Sequence, residues 1–468
     1  MRTIVASICE LTAQMLSNPR DFLNKAGLVA ARRPYLRILF EKIGVRPRMP
    51  IGIVPGDFDD RITRVTPGNR TARSQLRILY FVNSSLPHTS SGYTLRTQAL
   101  LESIDHSKTV VMPVTRLGYP ASIGKIVSNS FTFFGEVRYL HLLPLPTPVS
   151  RSKRVDRTVE LLSRFVEDQD IDILHATTDF RNAAIISQVA NRTGRPWVYE
   201  VRGERDESVR AALESRSDST QMQIPEKMRE KENAAMQSAS VVIALSDVSA
   251  RSLEQRGVDP KRIVVVPNGV SQPQRSPNSG CVRDWLGIQR DQVIVGTVTS
   301  IVAYEGLDIL ILALEHLPPE FHLLIVGDGD ALQELEQLVK ERGLEARVIF
   351  VGKQSAETII DWYAALDVFV LPRKDYDVCR RVTPLKPLQA MQVGVPIVAS
   401  DLPALREATG GFACFVEPES PLALADGILR AAREQNKPEV MEEMRRFVES
   451  RSWEASARRL QSVYEELN

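Results

Sequence analysis

From residue 76 onward, short runs of β-branched and aliphatic residues alternate with stretches whose apolar positions recur every three to four residues. The first pattern suits strands buried on both faces, the second helices that lay one stripe on a sheet. In the first half, strands are expected at 76–82, 109–114, 171–175, 196–201, 241–245 and 263–266, with helices near 91–104, 181–191 and 226–238. After Pro267-Asn-Gly-Val270 and a polar stretch to about residue 280, the rhythm restarts. Strands are expected there at 292–298, 321–326, 348–351, 368–371, 397–399 and 413–416, with helices near 306–317, 332–342, 357–365, 384–393 and 421–434. Helical patterns at 440–450 and 455–467 close the chain. Strands joined by crossover helices form parallel sheets covered on both faces, so the fold class is α/β with two doubly wound units. A ligand then belongs in the cleft beyond the carboxyl ends of the strands.

Before residue 66 the pattern is different. Helix-period apolar residues are interleaved with arginines, and 66–74 reads as a linker of turn formers. Residues 1–70 carry 12 Lys/Arg against 6 Asp/Glu, whereas the whole chain balances 59 against 58. The even balance argues against a nucleic-acid partner. The local excess leaves two readings for the extension: a packed cap, or peripheral membrane contact through residues 1–50 on the inner face of the plasma membrane. The domains are therefore expected at 1–70 (basic helical extension), 75–270, 271–450 and 451–468, the last a helix returning to the N-terminal domain.

The length of 468 residues, 43% hydrophobic and 25% charged, fits two soluble cores. Cys9, Cys281, Cys379 and Cys414 are far apart and suggest neither a zinc site nor a disulfide framework, which favours a cytoplasmic location. Neither a membrane span nor a secretory signal is expected.

The most informative chemistry lies between Leu371 and Ser400. A strand runs into a loop bearing Arg373, Lys374, Arg380 and Arg381, and a helix is expected to open at Thr383-Pro384, with threonine as its cap. Free N–H groups at such a start attract anions, and Lys386 in the first turn adds charge, so the segment suits a diphosphate. The alternative is a solvated basic loop.

Several motifs accompany this segment: residues 384–391 with Gly394-Val-Pro396, Val326-Gly-Asp-Gly329, Tyr304-Glu-Gly306, Val266-Pro-Asn-Gly-Val270 and Tyr199-Glu-Val-Arg-Gly203. Through them residues 76–468 resemble glycosyltransferase family 4, the retaining enzymes of the GT-B fold, with two facing Rossmann-like domains. The resemblance implies transfer of a sugar from a nucleotide-diphosphate donor, held by the second domain, to a glycan or lipid-linked acceptor held by the first. It implies no metal and no cofactor, the nucleotide sugar being a co-substrate. Arg373, Lys374, Thr383, Pro384, Leu385, Lys386, Gln389, Lys353 and Gly327 become the candidate donor-binding residues.

In the first domain Ser91, Gly92 and Tyr93 resemble the family's glycine loop, and either contact a ligand or simply cap a helix. His88 on the same loop is functional or merely solvated. His175 and Thr177 stand where the family often carries His-x-His, which makes them the candidate catalytic pair; His175 is otherwise a structural histidine. Arg202, beside Glu204, contacts the acceptor or forms an ion pair.

Departures from the family pattern carry information too. The two glutamates usual around the donor helix are Arg381 and Gln389 here, and the usual Arg and Lys after the first strand of the second domain are Ser300 and Glu305. Lys386 with Arg373 or Lys374 is therefore expected to neutralise the diphosphate. Retaining front-face transfer needs positioning and charge stabilisation more than a nucleophile. The departures also support a second reading, a catalytically weakened homologue that serves as a nucleotide- or glycan-binding partner subunit. A nucleotide-sugar epimerase is a weaker third, because proton-shuttling carboxylates and histidines are not evident.

Overall fold

A computed structural model describes residues 75–214, 221–271, 276–289, 291–355, 357–433 and 438–468, together with residues 3, 6, 7, 9, 10 and 13. The expected basic extension therefore lies outside the described residues apart from those six. One of the six, Glu10, is buried and accepts both arms of Arg154, at 2.6 and 3.0 Å.

The N-terminal domain is built on eight strands: β1 (Leu76–Val82), β2 (Thr109–Thr115), β3 (Phe131–Phe134), β4 (Val137–His141), β5 (Ile173–Thr177), β6 (Trp197–Glu200), β7 (Val241–Ala244) and β8 (Ile263–Val265). Their order is β3-β4-β2-β1-β5-β6-β7-β8, parallel throughout except for the β3–β4 hairpin. That hairpin and the Arg151–Asp168 helix after it lie outside the expected pattern. The helix is nonetheless strongly amphipathic, burying Val155, Thr158, Val159, Leu162 and Val166 at helical spacing against the sheet.

Six parallel strands form the second sheet: β9 (Val293–Val298), β10 (Phe321–Val326), β11 (Val348–Gly352), β12 (Val368–Leu371), β13 (Ile397–Ser400) and β14 (Ala413–Val416). Their order, β11-β10-β9-β12-β13-β14, reverses direction between β9 and β12. The reversal puts the switch point of the sheet between β9 and β12, beyond whose carboxyl ends a ligand is expected.

The chain crosses between domains twice, side by side. Val270 pairs with Ser452, and a Cβ on Gly269 would stand 2.8 Å from the Ser452 carbonyl carbon, so the two crossings touch along their backbones. Past that point the Trp453–Leu467 helix, capped by Ser452, packs on the Gly92–Ser103 helix. Trp453, Ala457, Leu460, Val463 and Tyr464 join Ile78, Tyr80, Leu100 and Leu101 in one core. At ~1.5–3 kcal/mol for each large apolar side chain, this burial makes the C-terminal helix an integral part of the N-terminal domain.

Candidate functional site

The second domain's half of the site is assembled by two loops that touch. After β9 the backbone turns at Ala303–Glu305 and continues through Gly306 at φ +72°, where a Cβ would lie 1.9 Å from the Pro372 carbonyl oxygen. Only glycine permits that approach, which brings Glu305 against the loop after β12. Glu305 accepts from Arg373 at 2.8 and 3.4 Å and from the Thr299 hydroxyl at 3.1 Å, with Lys386 Nζ at 3.3 Å. Lys386 also donates to the Thr299 hydroxyl, and Arg373 to the Val382 carbonyl at 3.0 Å. Burial opposes the charge on Glu305, but Arg373 and then Lys386 outweigh it and hold the carboxyl down at about 2. Burial also pushes the Lys386 ammonium down, with Glu305 pulling the other way.

Gly327 supports this arrangement from β10. Its φ is +149° and a Cβ there would stand 1.8 Å from the Thr299 carbonyl oxygen. Gly327→Ala should therefore cost ~2–4 kcal/mol through backbone strain and displacement of the Thr299 loop. Urea unfolding checks this: an unchanged midpoint would mean that the loop accommodates the methyl group.

The helix of the candidate donor segment begins later than expected. It spans Lys386–Gln392, with Leu385 at its cap position and no side-chain cap, so Thr383 is not its N-cap. Thr383 Oγ1 is instead buried with no hydrogen-bond partner, and Thr383 and Pro384 line a small crevice with Pro267 and Asn268 at the domain boundary. Proline at 387, within the helix's first turn, is the one that sets its start. With only seven residues, this helix leaves the work of neutralising an anion to side chains rather than to its terminus. Lys374 faces another way, ion-paired with Asp308 at 2.7 Å. Gln389 is half-buried and its side chain makes no hydrogen bond among the described residues.

Across the cleft, Ser91 caps the Gly92–Ser103 helix in a capping box with Thr94. The preceding loop meets the second domain at two candidate residues. Lys353 donates to the Ser90 carbonyl at 3.0 Å, and Leu385 Cδ1 lies 3.7 Å from where a Gly92 Cβ would be. Tyr93 is 53% exposed beside them. Lys353 and Leu385 thus bring the second domain against the Ser91–Tyr93 segment, whereas Arg373, Lys386 and Gly327 converge on Glu305 and Thr299.

The expected catalytic pair is elsewhere. His175 is fully buried, stacked on Tyr80, with its ring nitrogens 2.7 Å from the Tyr464 hydroxyl and 3.3 Å from Glu200. Burial lowers its pKa against the pull of Glu200. Thr177 is buried too and donates to the Phe81 carbonyl at 3.2 Å. Arg202, expected at the acceptor, is buried and fully engaged with Glu200, Tyr80, Thr97 and the Tyr93 carbonyl. All three side chains sit in the domain interior: His175, in the middle of β5, meets Tyr464 of the Trp453–Leu467 helix, Arg202 meets Tyr93 and Thr97 in the first turns of the Gly92–Ser103 helix, and Thr177 meets the backbone of β1. His88 is half-buried and hydrogen-bonded to Thr132.

Two residues matter more than their sequence positions announced. Glu200 joins Arg96 (2.8 Å), Arg202 (2.6 Å) and Tyr80 (2.8 Å); burial opposes its charge, but Arg202 and Arg96 hold its carboxyl well below the usual range. Arg96 also donates to the carbonyls of Val266 and Pro267 and to Asn268 Oδ1. A charged residue four positions before Leu100 and eight before Ile104, on the helix's apolar stripe, is the signal that could have identified it. Three more contacts join the domains: Arg381 to Glu204 (3.3 Å), and Glu407 accepting from the Asp247 and Val248 backbone N–H groups at 2.7 and 2.8 Å.

With this geometry in view, comparison with known proteins is specific. Residues 91–269 match a glycosyl transferase 4-like domain and residues 282–448 match glycosyl transferases group 1. A D-inositol 3-phosphate glycosyltransferase of Xylanimonas cellulosilytica is 29% identical over 208 residues, 40% of this chain and 48% of that protein. The lipopolysaccharide core biosynthesis mannosyltransferase LpsB of Rhizobium meliloti is 35% identical over 135 residues, 27% of this chain and 36% of its own. The aligned regions thus span about half or less of these relatives. Among solved structures, a sucrose-phosphate synthase from Thermosynechococcus elongatus superposes with a TM-score of 0.68 at 21% identity, covering 84% of this chain and 99% of that one. Anabaena Alr3699/HepE in complex with UDP-glucose gives 0.63 at 20% identity, covering 84% and 100%. These likenesses show the two-domain GT-B fold.

Proposed function

Because the chain belongs to the group 1 glycosyltransferases, with a 4-like N-terminal domain, we propose that it transfers a sugar from a nucleotide-diphosphate donor to a glycan or lipid-linked acceptor in cell-surface polysaccharide or glycolipid synthesis. The observation that carries this reading is the pair of cations, Arg373 and Lys386, gathered on one carboxylate at the carboxyl end of β9 and β12. A site with one surplus positive charge at a topological switch point is suited to a diphosphate. HepE, which shares the fold, binds UDP-glucose, and the curated relatives are named for glycosyl transfer to inositol phosphate and for mannosyl transfer in lipopolysaccharide synthesis.

The proposed reaction retains configuration at the anomeric carbon and needs no metal. The acceptor hydroxyl enters past the Ser91–Gly92–Tyr93 opening. The departing diphosphate oxygen takes its proton, and Lys386 offsets the negative charge that builds on the leaving group. Leu385 and Lys353 close the opening from the second domain. The N-terminal segment, residues 1–50, contributes a membrane-surface contact in this proposal. Among the described residues no helix is long and apolar enough to cross a membrane.

Incubation with a panel of nucleotide sugars, with and without membrane extract, tests the reading by nucleoside diphosphate release. Release that depends on the extract supports it. A Gln389 side chain without a partner among the described residues, and Glu305 engaging both cations, favour a second reading in which the chain binds nucleotide without turnover. Binding with no release under any condition would establish that alternative.

A further inference from the structure

Resting on the donor-site reading above, we propose that Glu305 is an internal counter-ion that the donor's diphosphate displaces from Lys386, so that Glu305 sets how tightly donor and product are held. The two cations on Glu305 are not held alike. Arg373 is 6% exposed, gives the carboxylate two N–H contacts and spends its remaining arm on the Val382 carbonyl. It is fixed on three sides. Lys386 reaches the same carboxylate with one ammonium at 3.3 Å, its side chain is 22% exposed, and its other partner among the described residues is the Thr299 hydroxyl. An ammonium on a flexible stem can swing away where a forked guanidinium cannot.

Two cations on one carboxylate leave a single surplus positive charge. A diphosphate, bearing more than one negative charge, competes for Lys386 better than one shared carboxylate does. Lys386 turns to the diphosphate while Arg373 stays with Glu305, so no buried charge is left alone in either state. When the nucleoside diphosphate leaves, Glu305 takes the ammonium back. The consequence is affinity held below what the two cations could provide, because a ligand shifts this equilibrium only by its advantage over Glu305.

Titration calorimetry with inorganic pyrophosphate and with UDP tests the exchange on the full-length chain. In Glu305→Gln the competing charge is gone, and both probes should bind roughly tenfold tighter, the equivalent of about one pK unit of interaction. Should that variant fail to fold, Glu305→Asp keeps the charge beside Arg373 but draws it back by one methylene, and should shift affinity the same way by less. The double change E305Q/K386Q should lose the gain, since no ammonium remains to be released. A folded E305Q that binds both probes no tighter than the wild type overturns the exchange. If Lys386→Ala weakens binding in that same series, the donor site itself stands; if Lys386→Ala leaves binding unchanged, the donor-site reading fails and the exchange with it.

Discussion

Replacing Lys386 with alanine should weaken binding of a nucleoside diphosphate by on the order of 100-fold, about 2.7 kcal/mol, and reduce glycosyl transfer at least as much. The size follows from the site's construction. Lys386 is the one cation of the cluster with a free stem; Arg373 is fixed by Glu305 and the Val382 carbonyl, and Lys374 is engaged by Asp308. The alanine variant should fold, because Glu305 keeps Arg373 and the Thr299 hydroxyl as partners. Calorimetry with UDP reads the loss directly. Lys386→Arg should recover only part of it, since a guanidinium must find room beside the one already there. Wild-type affinity in the alanine variant would remove this segment from the donor site.

The second large effect is on stability. Glu200→Gln should destabilise the protein by ~3–5 kcal/mol and lower the midpoint of thermal unfolding by roughly 10 °C. Glu200 is fully buried and balances two buried guanidiniums, those of Arg96 and Arg202. Neutralising it leaves two cations in the interior, with Tyr80 and His175 unable to supply the missing charge. The damage should spread to the opening, because Arg202 holds the Tyr93 carbonyl and Thr97, and Arg96 holds the carbonyls of Val266 and Pro267 where the chain leaves the first domain. Glu200→Asp, which keeps the charge, should cost less than Glu200→Gln. Equal melting of the glutamine variant and wild type, followed by circular dichroism, would show that the two arginines are balanced from elsewhere.

Much of the architecture is legible along the chain. The alternation of buried strands and amphipathic helices, with the restart after residue 280, corresponds to the two parallel sheets. The β3–β4 hairpin is harder to read because its exposed strand, with Phe133 and Phe134 facing outward, lacks the alternation of a half-buried strand. At the site, the basic segment holding Arg373 and Lys386 is visible as charge after a strand. Its partner Glu305 is visible only as an odd residue at that position. Sequence distance hides the pairing: 68 residues separate Glu305 from Arg373, and the approach of the two loops depends on Gly306 meeting the Pro372 carbonyl.

His175, Thr177 and Arg202 show the opposite case. Thr177 ends β5 and Arg202 follows β6, where residues of a doubly wound sheet usually meet ligand, whereas His175 stands in the middle of β5 although its strand is expected to end there. His175 is buried because the C-terminal helix, 289 residues further on at Tyr464, returns to cover it, whereas Arg202 is drawn inward by Glu200, Tyr80, Thr97 and the Tyr93 carbonyl. Periodicity and local motifs depend on neighbours along the chain, so residue order alone carries the two α/β domains, the family resemblance and the location of the basic segment. Which polar residues lie near the domain boundary and which are locked in the interior follows from the folded chain, because burial and ion pairing depend on segments that meet only after both domains have formed and the terminal helix has crossed back.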